Sequence, residues 1–179
     1  QERLAWLTHY CYDNDESKDC SQKPTKGQLT TLKQRNNLDN DTITARFKYD
    51  EYGNIRKIID ANQNTESIDY DSIYNLFPEK NCNALHQCTY IQWDPVLGQI
   101  KKITDANGAS MDLEYDALSR LVKTISPNGL IQTREYLDIG NPNKQSIRES
   151  TKDGSVDGLW SESYFDGFGR TYSIHNKGE

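Results

Sequence analysis

The chain has 179 residues and a mass of 20.6 kDa, the size of a single domain. It is acidic, with a net charge of −6 and a pI near 5.1, and it lacks the Lys/Arg cluster that nucleic-acid binding requires. Only 34% of its residues are apolar, against ~45–50% in typical soluble domains, but aromatic residues reach 10%. Disordered chains pair high charge with few aromatics, so the composition predicts a folded, thinly cored protein, such as a sheet with both faces partly wet. No apolar run approaches the ~18 residues of a membrane span. No basic stretch followed by an apolar one opens the chain, and it begins at Gln1 without Met, which reads as an excerpt or a processed piece.

Residues 1–41 read as a connecting segment that carries Cys11 and Cys20. Asp13, Asp15 and Asp19 suggest calcium only weakly, because the central Gly and final Glu of a calcium loop are missing. Asn40-Asp41-Thr42 is a glycosylation sequon on a polar stretch.

From residue 42 onward a repeat sets the organisation. Aromatic-Asp pairs recur at Tyr49-Asp50, Tyr70-Asp71, Trp93-Asp94 and Tyr115-Asp116, with the aspartates 21, 23 and 22 residues apart. Asp138, in the degenerate Tyr136-Leu137-Asp138, and Phe165-Asp166 extend the series. Gly53 and Gly169 follow their Asp by three residues, Gly98 by four, and Ser119 stands where Gly is expected after Asp116. Asp can accept a hydrogen bond from the backbone two residues on, and Gly can take the positive φ that a short bulged hairpin requires. A second set of turns follows at Asp60-Ala61-Asn62-Gln63-Asn64, Asp105-Ala106-Asn107-Gly108 and Ser126-Pro127-Asn128-Gly129.

Between turns the residues alternate. Ala45, Phe47 and Tyr49 oppose Thr44, Arg46 and Lys48; Met111, Leu113 and Tyr115 oppose Asp112 and Glu114. Period-two alternation predicts half-buried strands, two per ~22-residue unit and ten or so in all. No helical spacing is sustained. The predicted fold is all-β, a succession of hairpins over residues 42–179 with an inserted Cys82/Cys88 loop at about 77–89.

Four cysteines permit three pairings. The local set, Cys11 with Cys20 and Cys82 with Cys88, is preferred in an oxidising compartment; free thiols are the plain alternative. Cys82, His86 and Cys88 do not complete a zinc site, which takes four ligands. His9, His86 and His175 lie far apart with no nucleophile motif beside them. No metal, cofactor or catalytic residue is assigned, and no enzyme is expected.

The ordered string of pairs resembles the RHS/YD-repeat family. Leu76-Phe77-Pro78, Asn83-Ala84-Leu85-His86, Trp93-Asp94-Pro95, Gly98-Gln99 and Thr104-Asp105-Ala106-Asn107-Gly108 are similar to the middle region of Tc toxin B components, as is Tyr164-Phe165-Asp166-Gly167-Phe168-Gly169-Arg170. The Tc-like, YD-repeat region of mosquito salivary gland surface proteins is similar too. The resemblance implies strands wound as one curled spiral sheet, the wall of a hollow shell around a polypeptide or nothing. The implied partners are the remainder of a larger parent chain, an encapsulated polypeptide or a host cell surface. The cysteines and the sequon at Asn40 fit a secreted member. A cell-surface or glycan-binding module is the alternative reading.

Overall fold

The computed structural model describes residues 6–13, 20, 23–36, 42–152 and 158–177. Fourteen strands are described and no helix; each strand neighbours the next in chain order, and every pairing below is antiparallel. The chain divides into two compact units, Gln1–Tyr90 and Ile91–Glu179.

The first unit contains β1 (Trp6–Tyr12), β2 (Leu29–Asn36), β3 (Thr42–Tyr49), β4 (Ile55–Ile59), β5 (Thr65–Tyr70), β6 (Pro78–Cys82) and the start of β7 (Cys88–Asp94). Its register explains its two faces. Tyr10 pairs with Leu32, Leu32 with Ala45, and Phe47 with Ile58, so one face carries a half-buried apolar band. The opposite face pairs His9 with Lys33, Lys33 with Thr44, and Ser67 with Cys82. Alternation along β3 and β5 places Tyr49 with Phe47 and Tyr70 with Ile68 on the apolar face.

The second unit runs from the end of β7 through β8 (Gln99–Thr104), β9 (Ser110–Tyr115), β10 (Leu121–Ile125), β11 (Ile131–Leu137), β12 (Ser146–Lys152), β13 (Leu159–Phe165) and β14 (Thr171–Lys177). Ile103 pairs with Met111, Leu113 with Thr124, and Tyr136 with Ile147, continuing to Ser163 and Ile174. The other face is stitched by opposite charges set directly across strands: Lys102–Asp112 at 3.1 Å, Lys123–Glu114 at 2.7 Å and Arg148–Glu162 at 2.6 Å. Such cross-strand pairs each contribute roughly 0.2–1 kcal/mol.

Burial is shallow. Among the described residues only Cys11, Asp71, Ser146 and Glu162 are buried, and of these only Cys11 counts as apolar. The described strands exceed the ten or so expected from alternation. β1 and β2 lie inside the segment read as a connector, and β6 lies inside the stretch read as an inserted loop. β2 and β6 are mostly polar, as in Pro-Glu-Lys-Asn-Cys of β6, whereas the apolar residues of β1, Trp-Leu-Thr-His-Tyr-Cys-Tyr, do not alternate. A strand wetted on both faces is held by backbone pairing and needs no apolar alternation.

Candidate functional site

One hairpin turn recurs, and its chemistry is set by the first residue. In the turn at Asp50 the backbone closes twice: the Gly53 N–H donates to the Asp50 carbonyl at 3.2 Å, and the Asp50 N–H to the Asn54 carbonyl at 3.0 Å. Oδ1 of Asp50 then accepts from the N–H groups of Tyr52 and Asn54 at 3.0 and 2.9 Å. The same double grip is made by Asp60, Asn83, Asp105, Asp116 and Asp166. The fourth residue of each turn is left-handed, at Gly53 (φ 91°), Gln63 (67°), His86 (61°), Gly108 (83°), Ser119 (60°) and Gly169 (77°). Asp94 opens a longer version whose left-handed residue is Gly98, φ 64°.

The residue after the left-handed position serves the other carboxylate oxygen. Arg120 Nε donates to Asp116 Oδ2 at 2.7 Å, Arg170 Nε to Asp166 Oδ2 at 2.7 Å, and Asn64 Nδ2 to Asp60 Oδ2 at 2.8 Å. Arg and Asn at this place are therefore turn locks. They also reach onward: the Arg120 guanidinium lies 4.0 Å over the Tyr136 ring, and Asn54 Nδ2 donates to the Asn75 carbonyl at 2.6 Å. Four of these carboxyls are held below the ordinary carboxylate range, chiefly by the Asn64 amide at Asp60, the Leu97 N–H at Asp94, the Arg120 guanidinium at Asp116 and the Arg170 N–H at Asp166.

Asp71 makes a larger cradle. Its carboxylate accepts from the N–H groups of Ile73, Tyr74, Leu76 and Phe77. Burial pushes the group up, but these four donors outweigh it and bring it down to about 2. Asp13 does the same with Thr25, Lys26, Gly27 and Gln28, also reaching about 2 against the upward push of burial.

Turns from odd- to even-numbered strands lie at one end of the strands, and the remaining turns at the other. At the first end the residue two after Asp is apolar and exposed in five turns, with Tyr52 at 62% and Ile73 at 79% in the first unit and Val96 at 89%, Leu118 at 73% and Phe168 at 87% in the second, while Gly140 stands two after Asp138. At the other end Asn62, Asn107 and Asn128 occupy that place, with Leu85 the exception.

Cys11 and Cys20, and Cys82 and Cys88, stand at disulfide distance, with Cα separations of 4.8 and 4.1 Å. Cys82 and Cys88 are direct cross-strand partners at the mouth of the Asn83 turn. His86 Nδ1 lies 3.3 Å from the Ala84 carbonyl within that turn. Asn40, Asp15 and Asp19 lie outside the described residues.

A polar cluster in the second unit was not visible in the motifs. Register sets Ser146 opposite Tyr164, Arg148 opposite Glu162, and Glu162 opposite His175. The buried Glu162 carboxylate accepts from Ser146 Oγ at 2.6 Å and from Arg148 Nε and Nη2 at 2.9 and 2.6 Å. The Ser146 hydroxyl leads in holding it below its usual range, against burial and with Arg148 assisting; burial and the Glu162 charge push Tyr164 up. The loop before Ser146 closes over the end of this face, where Gln145 Nε2 donates to the Asp166 carbonyl at 2.7 Å. A cavity of about 480 Å³ opens beside Glu162, Tyr164, Tyr172 and His175. The signal for it was the alternation Ser146-x-Arg148 and Trp160-x-Glu162-x-Tyr164, which occurs once in the chain.

The family model described as RHS Repeat matches residues 93–131, covering the Trp93-Asp94 and Tyr115-Asp116 turns. Residues 93–131 are an RHS repeat. The turns at Asp94 and Asp116 and the left-handed Gly98, Gly108 and Ser119 lie within the matched residues. No curated protein matches the chain. Among solved structures it is similar to the crystal structure of TcdB2-TccC3, with 13% identity and a TM-score of 0.38 over 96% of this chain and 14% of that one. The crystal structures of TcdB2-TccC3-TEV and TcdB2-TccC3-Cdc42 each match at 14% identity and a TM-score of 0.28, over 82% of this chain and 11% of theirs. The chain therefore spans about a seventh or less of the length of these structures.

Proposed function

We propose that the chain is a non-enzymatic wall segment of a larger, secreted RHS-repeat protein that builds a hollow β-shell. The observation that carries this reading is the row of exposed apolar residues at alternate hairpin tips in each unit, on strands with almost no buried apolar side chains. Neighbouring wall supplies the missing burial, because repeat units stabilise one another through their interfaces. Glycan-bearing Asn40 and disulfides Cys11–Cys20 and Cys82–Cys88 belong to this secreted reading, since disulfides persist in oxidising compartments. The repeat pairs Tyr49-Asp50, Tyr70-Asp71, Trp93-Asp94, Tyr115-Asp116 and Phe165-Asp166, with Gly53, Gly98 and Gly169, act as turn scaffold. The partners are the remainder of the parent chain and an enclosed polypeptide or a host surface. Electron microscopy of the parent protein tests the reading. A closed shell with this segment in its wall is expected; a parent with no lumen contradicts it.

A further inference from the structure

We infer that the cavity at the β12–β14 end of the second unit is a binding site for a neutral saccharide residue. Its volume, about 480 Å³, falls within the ~300–1,000 Å³ of small-ligand sites. Three rings gather at it: Tyr164 lies 4.8 Å from His175 and 6.3 Å from Tyr172, centroid to centroid. Aromatic rings of this kind give a ligand an apolar surface with hydroxyls at its rim, the complement of a sugar's C–H face.

The polar groups choose the ligand's charge. Glu162 is neutralised by the paired Arg148 nitrogens, and its other oxygen is taken by Ser146, so the site's floor offers no net charge. The rim carries one charge of each sign, Lys144 and Asp138. A cationic ligand finds the Glu162 carboxylate already engaged, and an anionic one finds the Arg148 guanidinium already engaged by Glu162. What remains open is Ser173, the imidazole nitrogens of His175 and the side-chain amide of Asn143, all lining the cavity without hydrogen-bond partners among the described residues. These groups donate and accept alike, which suits sugar hydroxyls that do both. The Ser146–Glu162–Arg148 lock holds the Tyr164 wall through the Tyr164–Glu162 hydrogen bond, the preorganisation a weak, shallow ligand needs.

A wall segment can carry such a site, so the proposal does not depend on the shell reading. The test is ligand-observed saturation-transfer NMR on the 179-residue chain with methyl β-D-glucopyranoside, methyl β-D-galactopyranoside and methyl α-D-mannopyranoside, and with tetramethylammonium as a cationic probe. Saturable binding of at least one glycoside at about millimolar Kd is expected, with the strongest transfer to its ring C–H protons. Tyr172 is more than half exposed, so Tyr172→Ala leaves the fold intact and weakens binding about tenfold, while Tyr172→Trp retains it. No saturable glycoside binding, tighter binding of tetramethylammonium, or unchanged affinity in Tyr172→Ala overturns the proposal.

Discussion

At Ser119 the backbone sits at φ 60°, a conformation that costs an ordinary L-residue about 1–2 kcal/mol; at Gly169, φ 77°, the missing Cβ removes that cost. The two positions close the same turn, so they respond oppositely to substitution. Gly169→Val lowers stability by about 1–2 kcal/mol, whereas Ser119→Gly leaves it level or raises it; urea melts of both variants check this, and equal shifts would contradict it. Asp71 supplies a pH test. Its carboxyl titrates at about 2 when folded, against 3.8 ordinarily. A depressed folded pKa gives stability that is complete above the unfolded value and lost as pH falls through the folded one. Thermal stability therefore declines between about pH 4 and pH 2, and Asp71→Asn flattens that decline; an unaltered acid limb in the variant counts against the cradle. These residues were legible because Asp and Gly declare a turn locally. The Ser146–Glu162–Arg148 lock was not, because strand register alone brings Ser146 and Arg148 to Glu162, and no repeat marks it.

Among elements, the β6–β7 hairpin shows where alternation fails as a guide. Its first strand is polar, and its cysteines draw the eye to a loop, yet Asn83 to Gln87 repeats the backbone and Oδ1 bonds of the Asp60 to Asn64 turn. The matching spacing of Asn83 and Gln87 was the available signal. Cys82 and Cys88 sit six residues apart across this turn, so a bond between them closes a short loop worth about 2 kcal/mol in chain entropy. Non-reducing peptide mapping should recover the Cys82–Cys88 pair, and reduction should lower the unfolding free energy by about that amount. Two free thiols or a cross-pairing with Cys11 or Cys20 would remove the pairing. The β1–β2 hairpin is held in the same manner, by backbone pairing and by the Asp13 cradle rather than an apolar core.

Across the whole molecule the apolar tips decide between a self-sufficient domain and a wall segment. Their side chains take no part in the hydrogen bonds of their turns, which run between Asp, the backbone and the locking Arg, so Leu118→Ser and Phe168→Ser leave intrinsic stability within about 0.5 kcal/mol while reducing self-association. Exposed sheet edges and apolar patches invite association. The most direct measurement is multi-angle light scattering of the isolated 179-residue chain, paired with a thermal melt. The account predicts concentration-dependent association, relieved by the tip variants. A monomeric 20.6 kDa species that melts cooperatively at every concentration would contradict it.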